Sequence, residues 1–274
     1  MPLYVVATPI GNLEDLSPRA RRVLSEVDAV VAEDTRHTRG LLTHEGLSKP
    51  LCSLPAFDEK ERVAPIVQRL VSGESLALVT DAGTPAVSDP GEALVDAARE
   101  AGVTVVPVPG PSAAIAALSA SGLSSARFTF LGFLPRKGEA RREVVGELLR
   151  RRETVILYEA GNRTGDTLAE LAAALGPRRA VVARELTKLH EEIVRAPLPS
   201  LAERFRDGAR GEVVIIVEGA GETPPSEALP PLDVAIRSRL NAGERLSDLA
   251  RALAEAYGLP RQEVYARALA LKDA

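Results

Sequence analysis

Leu76-Ala77-Leu78-Val79-Thr80-Asp81-Ala82-Gly83-Thr84-Pro85-Ala86-Val87-Ser88-Asp89-Pro90-Gly91 opens as an apolar run and ends as a loop dense in glycine and proline. A continuous apolar run of this length, bounded by turn residues, fits a strand buried on both faces. The same pattern recurs at residues 3–7, 29–32 and 103–106. Helical spacing fills the intervals. Ser17-Pro18 reads as a cap followed by proline at the first helical position, with Ala20, Val23, Leu24 and Val27 on one face. Asp58 with Glu61 reads as a capping box ahead of Val63, Ile66, Val67 and Leu70. Residues 94–101 before Gly102, and 112–121 before Gly122, read as helices closed by glycine. Such alternation predicts the α/β class, with a parallel sheet covered on both faces.

A second α/β unit begins near Pro135. Residues 141–151 and 167–175 have helical spacing, while 154–158, 180–184 and 213–217 read as strands. Ser200 with Glu203 reads as another capping box. Four prolines within residues 222–231 mark a linker. Two further helical patterns follow, Leu246/Leu249/Ala250/Leu253 and Val264/Ala268/Leu271. Tyr257-Gly258-Leu259-Pro260 joins them tightly, in the manner of a helix-turn-helix. The expected division is therefore 1–133, 134–219, a linker over 220–231 and a helical tail over 232–274.

Composition bounds the function. The chain has 274 residues, 45% hydrophobic and 26% charged, which excludes a disordered chain, a coiled coil and a collagen. A formal net charge of −4 excludes a strongly basic nucleic-acid coat but not a local basic patch. A single cysteine, Cys52, permits no internal disulfide and predicts a reducing compartment. No run approaches the ~20 apolar residues of a membrane span, so a cytoplasmic protein is expected. Arginine outnumbers lysine 29 to 5. GC-rich coding explains this bias better than heat adaptation, whose usual signal is lysine and glutamate.

Ligands of open parallel sheets bind beyond the C-terminal strand ends. Three loops there are rich in Gly and Pro: Ala7-Thr8-Pro9-Ile10-Gly11-Asn12, the loop after residue 80, and Pro107-Val108-Pro109-Gly110-Pro111-Ser112. Together they predict a pocket that holds its ligand largely through main-chain contacts. Neither a Walker A sequence nor G-x-G-x-x-G is present. His37, His44 and His190 lack metal-ligand spacing, so no metal is expected. Ser112 lacks the G-x-S-x-G context of a hydrolase nucleophile.

Several ordered motifs carry a resemblance. They are Val6-Ala7-Thr8-Pro9-Ile10-Gly11-Asn12-Leu13 with Asp15-Leu16-Ser17, and Ala32-Glu33-Asp34-Thr35-Arg36. Asp81-Ala82-Gly83-Thr84-Pro85 with Ser88-Asp89-Pro90-Gly91, and Gly110-Pro111-Ser112-Ala113, continue the series. Gly132-Phe133-Leu134-Pro135 and Arg184-Glu185-Leu186-Thr187-Lys188 with Glu191-Glu192 complete it. Over residues 3–219 the chain resembles the ribosomal-RNA-modifying branch of the tetrapyrrole methylase superfamily. The resemblance implies two α/β domains with S-adenosylmethionine (SAM) in the cleft between them, a small helical appendage, and a homodimer. It implies 2′-O-methylation of a cytidine ribose in the decoding region of 16S rRNA, within the 30S subunit. A corrin-ring C-methyltransferase of the same superfamily and a non-catalytic SAM- or RNA-binding module are the alternatives.

By motif position the cofactor is expected to contact Ile10, Asp81, Gly83, Thr84, Pro85, Val87, Ser112 and Ala113, with Leu157 and Tyr158 from the second domain. Where the resembled family carries Pro-His, this chain has Gly161-Asn162. A ribose hydroxyl needs its proton removed at or near the transition state. Glu33, Asp34, Lys188 and Glu191 are the candidates, although Glu33, Asp34 and Lys188 can equally form an ion-pair network with Arg36, Arg184 and Glu185. Residues 136–152 hold seven basic and three acidic side chains. Arg136, Lys137, Arg141 and Arg142 from this stretch, with Arg36 and Arg163, are the expected RNA contacts.

Overall fold

The computed structural model describes residues 1–220, 232–257 and 259–272. The chain divides into two compact units, Met1–Ala220 and Gly221–Ala274. The first begins with a parallel five-stranded sheet of β1 (Leu3–Val6), β2 (Ala29–Ala32), β3 (Leu51–Ser53), β4 (Leu76–Val79) and β5 (Val105–Val108), in the order β3-β2-β4-β1-β5. Every residue of β2 and β4 is buried, as continuous apolar runs require. Helices α1 (Pro18–Glu26) and α2 (Thr35–His44) close one core, containing Val23, Leu24, Leu41 and Leu42. Helices α3 (Glu59–Val71) and α4 (Glu92–Glu100) close another, containing Ile66, Leu70 and Leu94. The Ser17 cap is present, its hydroxyl accepting from the Ala20 N–H at 3.1 Å, with Pro18 behind it.

The second sheet is mixed. It contains β6 (Phe128–Phe133), β7 (Thr154–Ala160), β8 (Arg179–Arg184), β9 (Glu192–Pro197) and β10 (Glu212–Val217), in the order β6-β7-β10-β8-β9. Only β6 and β7 run parallel. Helices α6 (Glu139–Leu148), α7 (Thr164–Leu175) and α8 (Leu198–Arg204) cover one face, around Leu157, Leu168 and Ile215. The other face packs on α5 (Ala113–Ser121), through Ile156, Val181 and Val214 against Ala114, Ala117 and Leu118. Strand β6 belongs to this second sheet, although residues 128–133 fall in the first domain of the sequence reading.

Both capping boxes are corrected. Asp58 makes no side-chain cap bond and pairs with Arg62 at 2.7 Å instead. Helix α8 starts at Leu198, so Ser200 lies inside its first turn. The proline-rich linker lies outside the described residues.

Among its described residues the second unit holds three helices, α9 (Leu232–Asn241), α10 (Leu246–Tyr257) and α11 (Arg261–Lys272). Ile236, Leu249, Leu253 and Val264 form its core. The two expected helices are α10 and α11; α9 joins them, and its Asp233 pairs with Arg267 at 2.8 Å. Among the described residues no helix is long and apolar enough to cross a membrane.

Candidate active site

Strands β4, β1 and β5 are neighbours, so the loops at their C-terminal ends meet on one rim. Hydrogen bonds lock these loops together. The Thr8 N–H donates to Gly83 O at 2.9 Å and the Gly83 N–H returns to Thr8 O at 3.1 Å. The Thr8 hydroxyl donates to Thr80 O at 3.0 Å, and the Thr84 hydroxyl to Pro111 O at 3.1 Å. The facing wall comes from the second sheet: Tyr158 on β7, the segment after β8, and the start of β10. At Gly11 the walls meet. A side chain there would begin 2.6 Å from Lys188 Cγ and 3.0 Å from Leu186 O.

The resulting cavity of about 560 Å³ lies within the ~300–1,000 Å³ range of small-molecule sites. Both walls carry strained backbone. Ala86 and Ser88 on one side, and Glu185 and Thr187 on the other, have φ of 64°, 66°, 52° and 66°. Non-glycine residues in this region cost energy and cluster at ligand clamps.

Of the expected cofactor contacts, Ile10, Asp81, Gly83, Thr84, Val87, Ser112, Ala113 and Tyr158 line the cavity. Pro85 and Leu157 do not. Leu157 points to the opposite face of its strand, into the core with Leu168 and Leu171, because successive strand residues alternate sides. Lys188 lines the cavity and pairs with Glu185 at 3.0 Å. Glu33, Asp34 and Glu191 lie outside the lining. Glu33 accepts the Thr80 hydroxyl at 2.9 Å, and Glu191 accepts the Thr187 N–H at 2.7 Å. Asp34 caps α2 and pairs with Arg36 at 2.8 Å. The Arg36 hydrogen bonds hold its carboxyl down at about 2, too weakly basic to take a proton from a hydroxyl near neutral pH.

Asp89, Glu185, Glu212, His37 and Phe133 also line the cavity, although none of them is among the cofactor-binding or catalytic residues expected from sequence. Asp89, Glu185 and Phe133 fall within motifs that carry the resemblance, whereas Glu212 and His37 do not. Glu185, Glu212 and Phe133 come from the second sheet and its loops, where antiparallel β10 pairs Glu212 with Ala160 and Val213 with Arg184, whereas His37 comes from α2. Burial, and then the Glu33 charge, push Asp89 up to about 6. Burial also raises the Tyr158 phenol, whose oxygen accepts the Ala114 N–H at 3.2 Å.

The expected RNA contacts separate into three groups. Arg136, Lys137 and Arg142 are exposed and carry no ion pair among the described residues. Arg141 and Arg163 are turned inward. Arg141 donates to Glu170, Thr167 and Pro135 O at 2.6–3.0 Å. Arg163 pairs at 2.5 Å with Glu159, itself 1% exposed. A charge that is already paired in the interior is not available to a phosphate. Arg36 remains exposed, though paired with Asp34. Gly161 replaces a side chain with backbone contact. Its N–H donates to Gly211 O and its carbonyl accepts from Ala209, both at 2.8 Å. Proline at 161 would remove the first bond, and any Cβ would strike the Ala209 and Gly211 carbonyls. Among the described residues no group of three or more His, Cys, Asp or Glu side chains is placed to hold a metal.

A parallel sheet and a mixed sheet enclosing a carboxylate-rich cleft define a two-sheet α/β protein of the Tetrapyrrole (Corrin/Porphyrin) Methylases type, and that family's model matches residues 2–202. A solved uroporphyrin-III C-methyl transferase from Thermus thermophilus, complexed with S-adenyl homocysteine, shares the fold. It has a TM-score of 0.58 and 21% identity over 81% of this chain and 98% of that one. The chain belongs to this family, and to the branch of it formed by the proteins called ribosomal RNA small subunit methyltransferase I. It is 49% identical to the Xylella fastidiosa member over 96% of this chain and 97% of that protein. The Escherichia coli O157:H7 member is 44% identical over 97% and 94%.

Proposed function

We propose that the protein transfers a methyl group from SAM to the 2′-hydroxyl of a cytidine in the decoding region of 16S rRNA, in the 30S subunit. The observation that carries this reading is likeness along nearly the whole chain to relatives named for rRNA methylation, together with a cleft that fits the donor. Asp81, Asp89 and Glu212 give it a negative lining suited to a sulfonium cation, while Glu185 is paired with Lys188. Ile10, Val87, Leu186 and Val214 offer apolar surface to an adenine ring. SAM bound there supplies an electrophilic methyl group. The rigid loops after β1, β4 and β5 hold the reactants in line, and positioning of this kind supplies much of the rate.

Asp89 is the best-placed proton acceptor. It is half-buried, it lines the cavity, and its basicity suits proton transfer near neutral pH. Lys188, tethered to Glu185, fixes the segment that closes the cleft. The protein acts without a metal, in the cytoplasm, as a homodimer.

Tritium transfer from labelled SAM to 30S subunits, naked rRNA and a precorrin tests the reading. Label on the ribose of one cytidine in 30S is expected. Label on the precorrin alone would replace this reading with the corrin C-methyltransferase. SAM binding without transfer to any of the three would leave a non-catalytic module.

A further inference from the structure

Aromatic residues are scarce in this chain, at 3%, with no tryptophan. One of them, Phe133, is 44% exposed and lines the cleft. Strand geometry alone would not put it there. Phe130 pairs with Ile156 on β7, and its side chain joins the face packed on α5. Phe133 lies three residues on, which in a regular strand is the opposite face. A bulge between Phe130 and Gly132 adds one residue and reverses that parity, so Phe133 pairs with Tyr158 on the cleft side.

Gly132 permits the bulge. Its φ is +63°, and a Cβ there would lie 2.7 Å from Ser88 Oγ, in the loop after β4. Tyr158 then braces the ring edge-on, with centroids 5.7 Å apart and planes at 65°. This arrangement leaves part of the ring in solvent at the cleft. Arg136 and Lys137, exposed and unpaired among the described residues, follow three and four positions later.

We propose that Phe133 is the stacking platform for the target base: it holds the unstacked nucleobase at the cleft while Arg136 and Lys137 take the flanking phosphates. This rests on the rRNA reading above. Sequence-selective recognition of RNA works mainly on unstacked nucleotides, and aromatic faces are the usual support for their bases. A braced, partly exposed aromatic beside a basic pair is the chemistry of single-stranded RNA recognition.

The test uses the full chain with 30S substrate. Phe133→Ala is expected to raise KM for 30S by about tenfold to a hundredfold, the worth of one stacked base. Its kcat is expected to fall by less than about threefold, with calorimetric SAM affinity held within about twofold. Phe133→Tyr should restore the wild-type KM, and Phe133→Leu, apolar but without a π-face, should not. Phe133→Trp introduces the chain's sole tryptophan, and its fluorescence should be quenched by 30S or by a short rRNA fragment but not by SAM. Three results overturn the inference: an unchanged KM in Phe133→Ala, a matching loss of SAM affinity, or tryptophan quenching by SAM alone. Absence of any transfer to 30S by the wild-type protein would instead bring down the rRNA reading, and this inference with it.

Discussion

Burial in the cleft disfavours the Asp89 charge, and Glu33, Glu212 and Asp81 add repulsion to that effect. Its carboxyl titrates at about 6 in the folded chain, against an ordinary value of 3.8. Below about pH 4 both folded and unfolded chains hold that proton. Between about 4 and 6 only the folded chain does, so the contribution to stability is lost as pH rises through 6. Activity is expected to have the opposite sign, since the role proposed for the free carboxylate is to attract a cationic donor and accept a proton. Turnover should therefore rise with pH through about 6. Asp89→Asn should lose roughly 10²–10⁴-fold in kcat, the usual worth of a general base. The same variant should melt higher than wild type at pH 8, with a flatter melting profile between pH 4 and 6. Single-turnover rates and calorimetric melts over pH 4–8 check both halves. Loss of activity without gain of stability would place Asp89 in a structural role.

The junction from β7 to α7 shows how an element becomes part of a site. Glu159, at the end of β7, is buried, yet it gathers Arg163, the Thr167 hydroxyl at 2.6 Å and the Ala160 N–H at 2.9 Å. Arg141 on α6 donates to the same Thr167 hydroxyl at 2.9 Å, so one network ties α6 and α7 to β7. Tyr158, one residue earlier, is thereby held on the cleft face. Arg163→Ala should cost about 3–5 kcal/mol in urea unfolding, because it leaves a buried carboxylate without its cation. Replacing both partners, as Glu159→Gln with Arg163→Met, should cost much less.

Sequence pattern showed some elements and hid others for physical reasons. Strands β1, β2 and β4 carry their burial as continuous apolar runs. Strand β3 is three residues long, and β6 and β9 lie at sheet edges with mixed exposure, so none of these announces itself. The loop after β4 was readable as a ligand rim because Gly and Pro mark it. The far wall is legible only in part: Tyr158 and Lys188 are expected there, whereas Glu212 and Phe133 depend on the antiparallel placement of β10 and on a one-residue bulge in β6. Arg141 and Arg163 look like RNA contacts in sequence because sequence counts charges without showing which are already paired inside.

For the molecule as a whole, a net charge of −4 must coexist with binding to a polyanion. Within residues 136–152 some of the positive charge is spent internally: Arg141 on Glu170, and Arg151 on Glu147 and Glu153. Arg136, Lys137, Arg142, Arg150 and Arg152 remain exposed, without ion pairs among the described residues. The surface open to phosphate is thus narrower than the raw count suggests, and it begins three residues after Phe133. Counterion release gives this a measurable form. Each phosphate contact contributes about 0.7 to 0.9 to the slope of log affinity against log salt. Arg136→Gln with Lys137→Gln should therefore lower the slope for 30S binding by about 1.4 to 1.8 between 50 and 200 mM salt. SAM affinity should be unchanged. Arg141→Gln should behave in the opposite way, lowering the urea midpoint while leaving the salt slope unaltered, because its guanidinium faces Thr167 and Glu170 rather than solvent. Filter binding across a salt series, paired with urea melts of the same proteins, separates the two kinds of arginine. An unaltered slope in the Arg136/Lys137 variant would move the RNA path to another face.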